Sequence, residues 1–223
     1  KRGPYSTTSY QTASAANPSG YKVYHPKNMG ENGEKHPVIT WGNGTTAKPA
    51  YYNGMLDHLS SHGFIVVASN SSNTGSGREM LRGVDYILSE NKNPNSPFFG
   101  KVDEAKIGAT GHSQGGGGAI QASHDPRIKA VAPIEPWLGS VRGVKSPMFV
   151  MSGGMDTVIP ARGVEANQFG RSPVPTVYGN LHRGTHLSPL SMGDEYASYT
   201  TAWFKNQLMG DENAGRVFFG PNA

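Results

Sequence analysis

Ser113 stands in Gly111-His112-Ser113-Gln114-Gly115, a G-x-S-x-G pentapeptide that follows a short apolar run and continues through Gly116, Gly117 and Gly118 into a helical pattern. Strand, sharp turn and helix in that order describe a nucleophile elbow, in which a strained backbone projects the hydroxyl from a sheet's end and small neighbours let helix and strand approach. In a chain this rich in Gly and Ser the pentapeptide arises by chance roughly 0.4 times, so its context carries the weight. The bland alternative is a Gly-rich loop that eases packing or binds an anion at a helix start. A serine hydroxyl is a poor nucleophile near neutral pH. It needs a base beside it, and the base needs a carboxylate to fix its tautomer and steady its positive form. Asp156 and His186 both fall in loops just after expected strands, where side chains of a parallel sheet converge.

Each partner has rivals. Asp156 also suits a turn aspartate capping the segment after it. Asp125, Glu135 and Asp194 are the other acids; Asp125 precedes a proline at a helix end and Asp194 occupies an N-cap position, so both have structural explanations. His186 competes with His182, four residues earlier. That spacing would suit a metal pair on a helix, but Gly184 intervenes and no nearby acid completes the usual signature, so no metal is expected. His112 and His124 read as packing or hydrogen-bonding side chains, and His25, His36, His58 and His62 as surface residues. An acyl-transfer site also needs donors for an oxyanion: the backbone N–H of Gln114 supplies one, and the glycine-rich loop 42–46 the other, at Thr45. An ordinary tight turn is the alternative for that loop. Gly44 within it and His112 beside the serine are candidate substrate contacts, and Trp137 after the next strand suits a core position as well as a site wall. Nothing in this scheme requires a cofactor.

The elements that must position these residues follow from periodicity. Residues 37–41, 64–68, 106–109, 128–134, 147–151 and 174–178 are short apolar runs suited to buried strands. Residues 51–61, 78–90, 114–123 and 194–208 have helical spacing, the last presenting Tyr196, Tyr199, Trp203 and Phe204 to a core. Residues 20–26 alternate like a half-exposed edge strand, and the Ser/Thr/Ala-rich residues 1–19 read as a strand-poor surface arm. Alternating helix and strand predict an α/β fold with a mostly parallel sheet, in one domain over residues 1–223.

Composition narrows the partners. The net charge of +4 comes from scattered Lys and Arg that never form a run, which speaks against a nucleic-acid groove. With no Cys there is neither a disulfide framework nor a thiolate site. No apolar stretch approaches membrane-span length, and the polar start lacks a signal-like core, as expected of a mature chain.

With these residues in place the chain resembles the bacterial polyester-hydrolysing α/β-hydrolases, the cutinase-like and PET-hydrolase group related to lid-less lipases. The carriers are Ser60-Ser61-His62-Gly63-Phe64 and the strand after it, Gly100-Lys101-Val102-Asp103, G-H-S-Q-G-G-G-G at 111–118, Ala132-Pro133 through Trp137, Asp156 with Ile159-Pro160, and Gly184-Thr185-His186. The resemblance implies the α/β-hydrolase fold, a triad of Ser113, Asp156 and His186, Thr45 at the oxyanion position and Trp137 as a stacking wall. It also implies an ester or polyester substrate and secretion, and a monomer is expected. Members commonly carry an aromatic residue at the oxyanion position and methionine after the serine, where this chain has Thr45 and Gln114. A lipase or lactone hydrolase on the same triad, and a polymer-binding protein without catalysis, are the competing expectations.

Overall fold

The computed structural model describes residues 1–13, 17–191 and 193–223, with the side chains of residues 191 and 194 outside that description. In chain order the elements are β1 (Thr7–Thr12), β2 (Tyr21–Pro26), β3 (His36–Gly42), α1 (Asn53–Ser61), β4 (Ile65–Ser69), α2 (Arg78–Lys92), β5 (Val102–His112), α3 (Gln114–Ala122), β6 (Ile128–Ile134), β7 (Met148–Gly153), α4 (Ala161–Val164), β8 (Thr176–Leu181), α5 (Ser188–Ser191), α6 (Gly193–Met209) and α7 (Glu212–Phe219). Eight strands form one sheet in the order β1-β2-β4-β3-β5-β6-β7-β8. Strands β3 to β8 run parallel; at one edge β2 pairs antiparallel with β4, and β1 antiparallel with β2. This is the expected α/β-hydrolase architecture.

The period-2 alternation of each strand divides the core into two layers. Val38, Ile65, Val67, Ile107, Val131 and Val150 face α2 and α3 with Met80, Val84, Ile87 and Ile120. Their neighbours Ile39, Val66, Ala68, Ala132 and Met151 face α1 and α6 with Leu56, Leu59, Trp203 and Phe204. Covering both faces is why the central strands read as unbroken apolar runs.

Three expectations are corrected. Residues 7–12 are not a loose arm: they pair with β2 across six residues, Tyr10 opposite Val23, and so make β2 an internal strand with five of six residues buried. The Thr-rich composition fits a strand as well as a loop, and only the partner decides. Tyr199 faces solvent. The C-terminal helix α7, begun by Asp211 accepting from the Ala214 N–H, was not expected. The N-cap expected at Asp194 lies outside the described residues.

Candidate active site

At the end of β5 the chain turns through Ser113 with φ 57 and ψ −115 before α3 starts at Gln114. A left-handed conformation is costly for a residue with a Cβ, and here it aims Oγ outward from the strand end. The tightness of the turn also explains its glycines: a Cβ on Gly115 would lie 1.9 Å from the Gly42 carbonyl oxygen. The backbone locks the elbow, Ser113 N–H donating to Ile134 at 3.0 Å and the Ser113 carbonyl accepting from Trp137 at 2.9 Å.

The structure brings Ser113, His186 and Asp156 together across 73 residues of chain. His186 Nε2 lies 2.9 Å from Ser113 Oγ, and His186 Nδ1 lies 2.8 Å from Asp156 Oδ2. Asp156 follows β7, and its other oxygen accepts the Val158 and Ile159 N–H groups at 2.8 Å each, which fixes the carboxylate's orientation. Two of the rivals lie elsewhere, while Glu135 stays within 3.9 Å of His186 Nδ1. Asp125 pairs with Arg127, and His182 is exposed in a separate hollow with Arg183 and Tyr199.

Gln114 is a clamp. Its side-chain amide donates to Thr45 Oγ1 at 2.8 Å, while its carbonyl accepts the Thr74 and Gly75 N–H groups at 2.8 and 3.1 Å. The loop after β3, the elbow and the loop after β4 are thereby held in one geometry. Among the described residues, no protein acceptor takes the backbone N–H of Thr45 or of Gln114. Beside them lies an open cleft of about 380 Å³ lined by Thr45, Ser113, Trp137, Leu138, Val158 and Ile159. Trp137 is 54% exposed, and with Leu138 it also lines a second hollow of about 400 Å³.

Two expected substrate contacts are corrected. His112 is buried, and Gly44 is buried with its Cβ direction towards Tyr52 Oη and His112; neither lines the cleft. Both belong to a hydrogen-bond chain behind it. Gly44 N–H donates to Tyr52 Oη at 3.2 Å, and Tyr52 Oη lies 2.8 Å from His112 Nδ1. His112 Nε2 lies 2.8 Å from the His186 carbonyl and 3.1 Å from Glu135 Oε1. A carbonyl only accepts, so Nε2 carries the hydrogen and Nδ1 receives it from the tyrosine. His112 therefore ties the loop after β3 to the backbone of His186. His25 and His36 are also buried rather than surface residues; His36 bridges the Gly63 carbonyl at 2.7 Å and the Gly30 N–H at 3.2 Å.

Burial keeps this inner layer uncharged. It lowers the His112 imidazole to about 4, opposed by its bond to the His186 carbonyl. It raises the Glu135 carboxyl to about 8, the Tyr196 hydroxyl pulling down and the Asp156 charge pushing up. His112, Glu135 and His186 place three ligand-type atoms within 4.8 Å of one another, but hydrogen bonds occupy all three, so the cluster reads as a proton network. Sequence analysis names Glu135 as a rival acid and assigns it no role. Its signal was its place directly after a strand, the same place Asp156 and His186 have.

A pH dependence of stability follows. The unfolded His112 takes its proton near 6.5 and the folded one only near 4. Its contribution is therefore full above pH 6.5 and is lost as the pH falls to 4, on the order of 3 kcal/mol. Glu135, shifted upward, works in the opposite direction between 4.5 and 8. Urea unfolding from pH 7 to 4 should accordingly show the parent losing stability relative to His112→Gln, which has no proton to gain; parallel curves would contradict it.

The eight-stranded sheet is that of the α/β-hydrolase fold, and the proteins that the chain matches make it a serine ester hydrolase. The family described as "PETase: PET hydrolase-like" matches residues 1–222, and the chain belongs to it. Among curated relatives, a bis(hydroxyethyl) terephthalate hydrolase of Streptomyces coelicolor is 28% identical, over 99% of this chain and 72% of the relative. Cutinase est1 of Thermobifida alba is 27% identical over 92% of this chain and 71% of the relative, and cutinase 2 of Thermobifida cellulosilytica is 26% identical over 95% and 82%.

Proposed function

We propose that the chain cleaves carboxylic esters through an acyl-enzyme on Ser113, with His186 as general base and acid and Asp156 as its orienting partner. The observation that carries this reading is the unbroken relay of 2.9 and 2.8 Å from Ser113 Oγ through His186 to Asp156 beneath the cleft. Ser113 Oγ attacks the ester carbonyl as His186 Nε2 takes its proton, and the oxyanion that forms is met by the free N–H groups of Thr45 and Gln114. His186 then returns the proton to the leaving alcohol. Water, deprotonated by the same nitrogen, releases the acid. Every group in the scheme comes from one chain, so a monomer suffices.

The substrate reading rests on the cleft and on the relatives, which are named for terephthalate esters and cutin. An open trough with Trp137, Leu138 and Val158 exposed along it suits a chain laid across the surface more than a buried small molecule. Thr45 stands where relatives of this type commonly have an aromatic ring, so the acyl part is gripped by an aromatic on one side only. We therefore propose aliphatic polyesters and soluble esters as better substrates than aromatic polyester film. An insoluble polymer requires an enzyme outside the cell, and secretion is part of the same proposal.

Two measurements test this. A fluorophosphonate should label the intact protein once, on the peptide carrying Ser113, and the labelled protein should release no p-nitrophenol from short acyl esters. Label on another peptide with hydrolysis retained would overturn the assignment. Gln114→Glu tests the oxyanion site: the Thr74 and Gly75 amides can still donate to the new carboxylate, and Thr45 can turn its hydroxyl to do so. A negative charge beside the developing oxyanion should lower kcat about ten- to a hundredfold with a smaller change in KM. An unchanged kcat would place the oxyanion elsewhere.

A further inference from the structure

We infer that Glu135 is a second acid for His186, standing behind Asp156 and able to receive the same Nδ1–H. This positioning role rests on the reading of Ser113, His186 and Asp156 as the catalytic relay.

Glu135 follows β6 as Asp156 follows the adjacent parallel strand β7, and its N–H donates to the Met151 carbonyl of β7 at 2.8 Å. Its Oε1 lies 3.9 Å from His186 Nδ1, the atom that Asp156 holds at 2.8 Å. Two acids on neighbouring strand ends thus converge on one nitrogen, the second a shift of about 1 Å from hydrogen-bond range. Glu135 adopts φ 43, one of four described non-glycine residues with positive φ, and Ser113 is another. The carboxyl is fully buried. Space is reserved for it, since a Cβ on Gly153 would lie 2.6 Å from Oε2. A strained backbone and a buried acid are both costly, and an apolar side chain would fill the core more cheaply.

The groups that face this carboxyl are few. Tyr196 of α6 donates to Oε2 at 2.9 Å, His112 of β5 approaches Oε1, and His186 and Asp156 stand beyond, with Tyr52 behind His112. None of them is a fixed cation. With Asp156 charged, Glu135 holds its proton well above the usual carboxylate range, first through burial and further through the Asp156 charge. Loss of the Asp156 charge has two consequences. The repulsion that keeps Glu135 protonated is relieved, and the Nδ1–H loses its acceptor. Both favour an ionised Glu135 that accepts from Nδ1, so the base keeps its working tautomer.

The comparison of Asp156→Asn with Asp156→Ala isolates this role. Asparagine keeps an oxygen for the Val158 and Ile159 N–H groups and turns its NH2 to Nδ1, which forces the wrong imidazole tautomer and shuts Glu135 out. Alanine leaves Nδ1 open to Glu135. Although it removes more of the side chain, Asp156→Ala should have a kcat on p-nitrophenyl esters at least tenfold above Asp156→Asn at pH 9, the excess shrinking towards pH 6. Adding Glu135→Gln to Asp156→Ala should remove the excess, a cost at least ten times larger than the same substitution exacts in the parent. An Asp156→Ala rate no higher than Asp156→Asn, or equal Glu135→Gln factors in both backgrounds, would overturn the inference. Melting curves accompany each variant, and Asp156→Ser, whose hydroxyl can accept from the turn, replaces alanine if alanine does not fold. The Ala-to-Asn ratio and its pH profile require no change at Glu135. Ser113→Ala measured alongside separates the failures: hydrolysis surviving there removes the relay reading itself, whereas its loss with no Glu135 effect removes only the second acid.

Discussion

Ser113→Ala lowers kcat for a soluble p-nitrophenyl ester by about ten-thousand-fold or more, with KM within about threefold of the parent. The size of the effect follows from what is removed and what stays. Removing Oγ takes away the atom that would form the acyl bond, and the 2.9 Å contact to His186 with it. The cleft walls, Trp137 and the Thr45 and Gln114 amides are untouched, so substrate still binds and the proposed oxyanion donors still favour attack by water, which leaves a small residual rate. The fold does not depend on the hydroxyl, because the elbow is held by backbone bonds to Ile134, Trp137 and Gly117. Melting should therefore change by no more than a few degrees. Initial-rate kinetics with the variant at a thousand times the parent's concentration measure the residual rate. A fall of less than tenfold would mean that another group attacks the ester.

Much of this site was legible because its chemistry is tied to local sequence. The elbow needs glycines at fixed offsets from Ser113, where Gly115 meets the Gly42 carbonyl, and such steric demands leave a mark within five residues. The placement of Asp156 and His186 near Ser113 follows the same logic, since strand ends on a parallel sheet can be placed from apolar runs and turn residues alone. The strands themselves read clearly because two covered faces leave few polar positions to interrupt them.

What stayed hidden depends on contacts across the fold. His112 sits beside the nucleophile in sequence, yet its ring turns inward because Tyr52, 60 residues away, and the His186 carbonyl supply its two partners. His36 becomes a core residue through Gly63 and Gly30. Nothing near either histidine marks it as buried. Residues 7–12 become a strand only because β2 offers an edge, and Tyr199 falls outside the stripe that Tyr196 and Trp203 bury, although its helical spacing looked equivalent. Glu135 is the instructive case. Its strand-end position was visible, but whether a carboxylate there is a capping group, an ion-pair partner or a buried acid depends on Tyr196, Asp156 and His186, which arrive from three later segments.

His186→Ala is expected to lose as much as Ser113→Ala, and the double variant Ser113→Ala/His186→Ala should be no slower than the slower single by more than about tenfold. Independent contributions would multiply; groups that form one proton relay do not, because an alcohol without its base is as inert as a missing alcohol. The geometry adds a further expectation. The imidazole of His186 fills the space between Ser113 Oγ and Asp156 Oδ2, and its removal leaves both partners facing a ring-sized gap at the floor of the cleft. Asp156 keeps its orientation there through the Val158 and Ile159 amides, so it can hold the N–H of a free imidazole as it holds Nδ1 of His186. Added imidazole should accordingly raise the rate of His186→Ala at least tenfold and saturate with concentration, and should leave Ser113→Ala at the rate of imidazole alone. Rescue of both variants to the same degree would mean that imidazole hydrolyses the ester in solution. Rescue of neither, with both proteins folded, would mean that the gap closes or that the base acts from another position, since the relay requires an imidazole between those two oxygens and tolerates one that is not covalently attached.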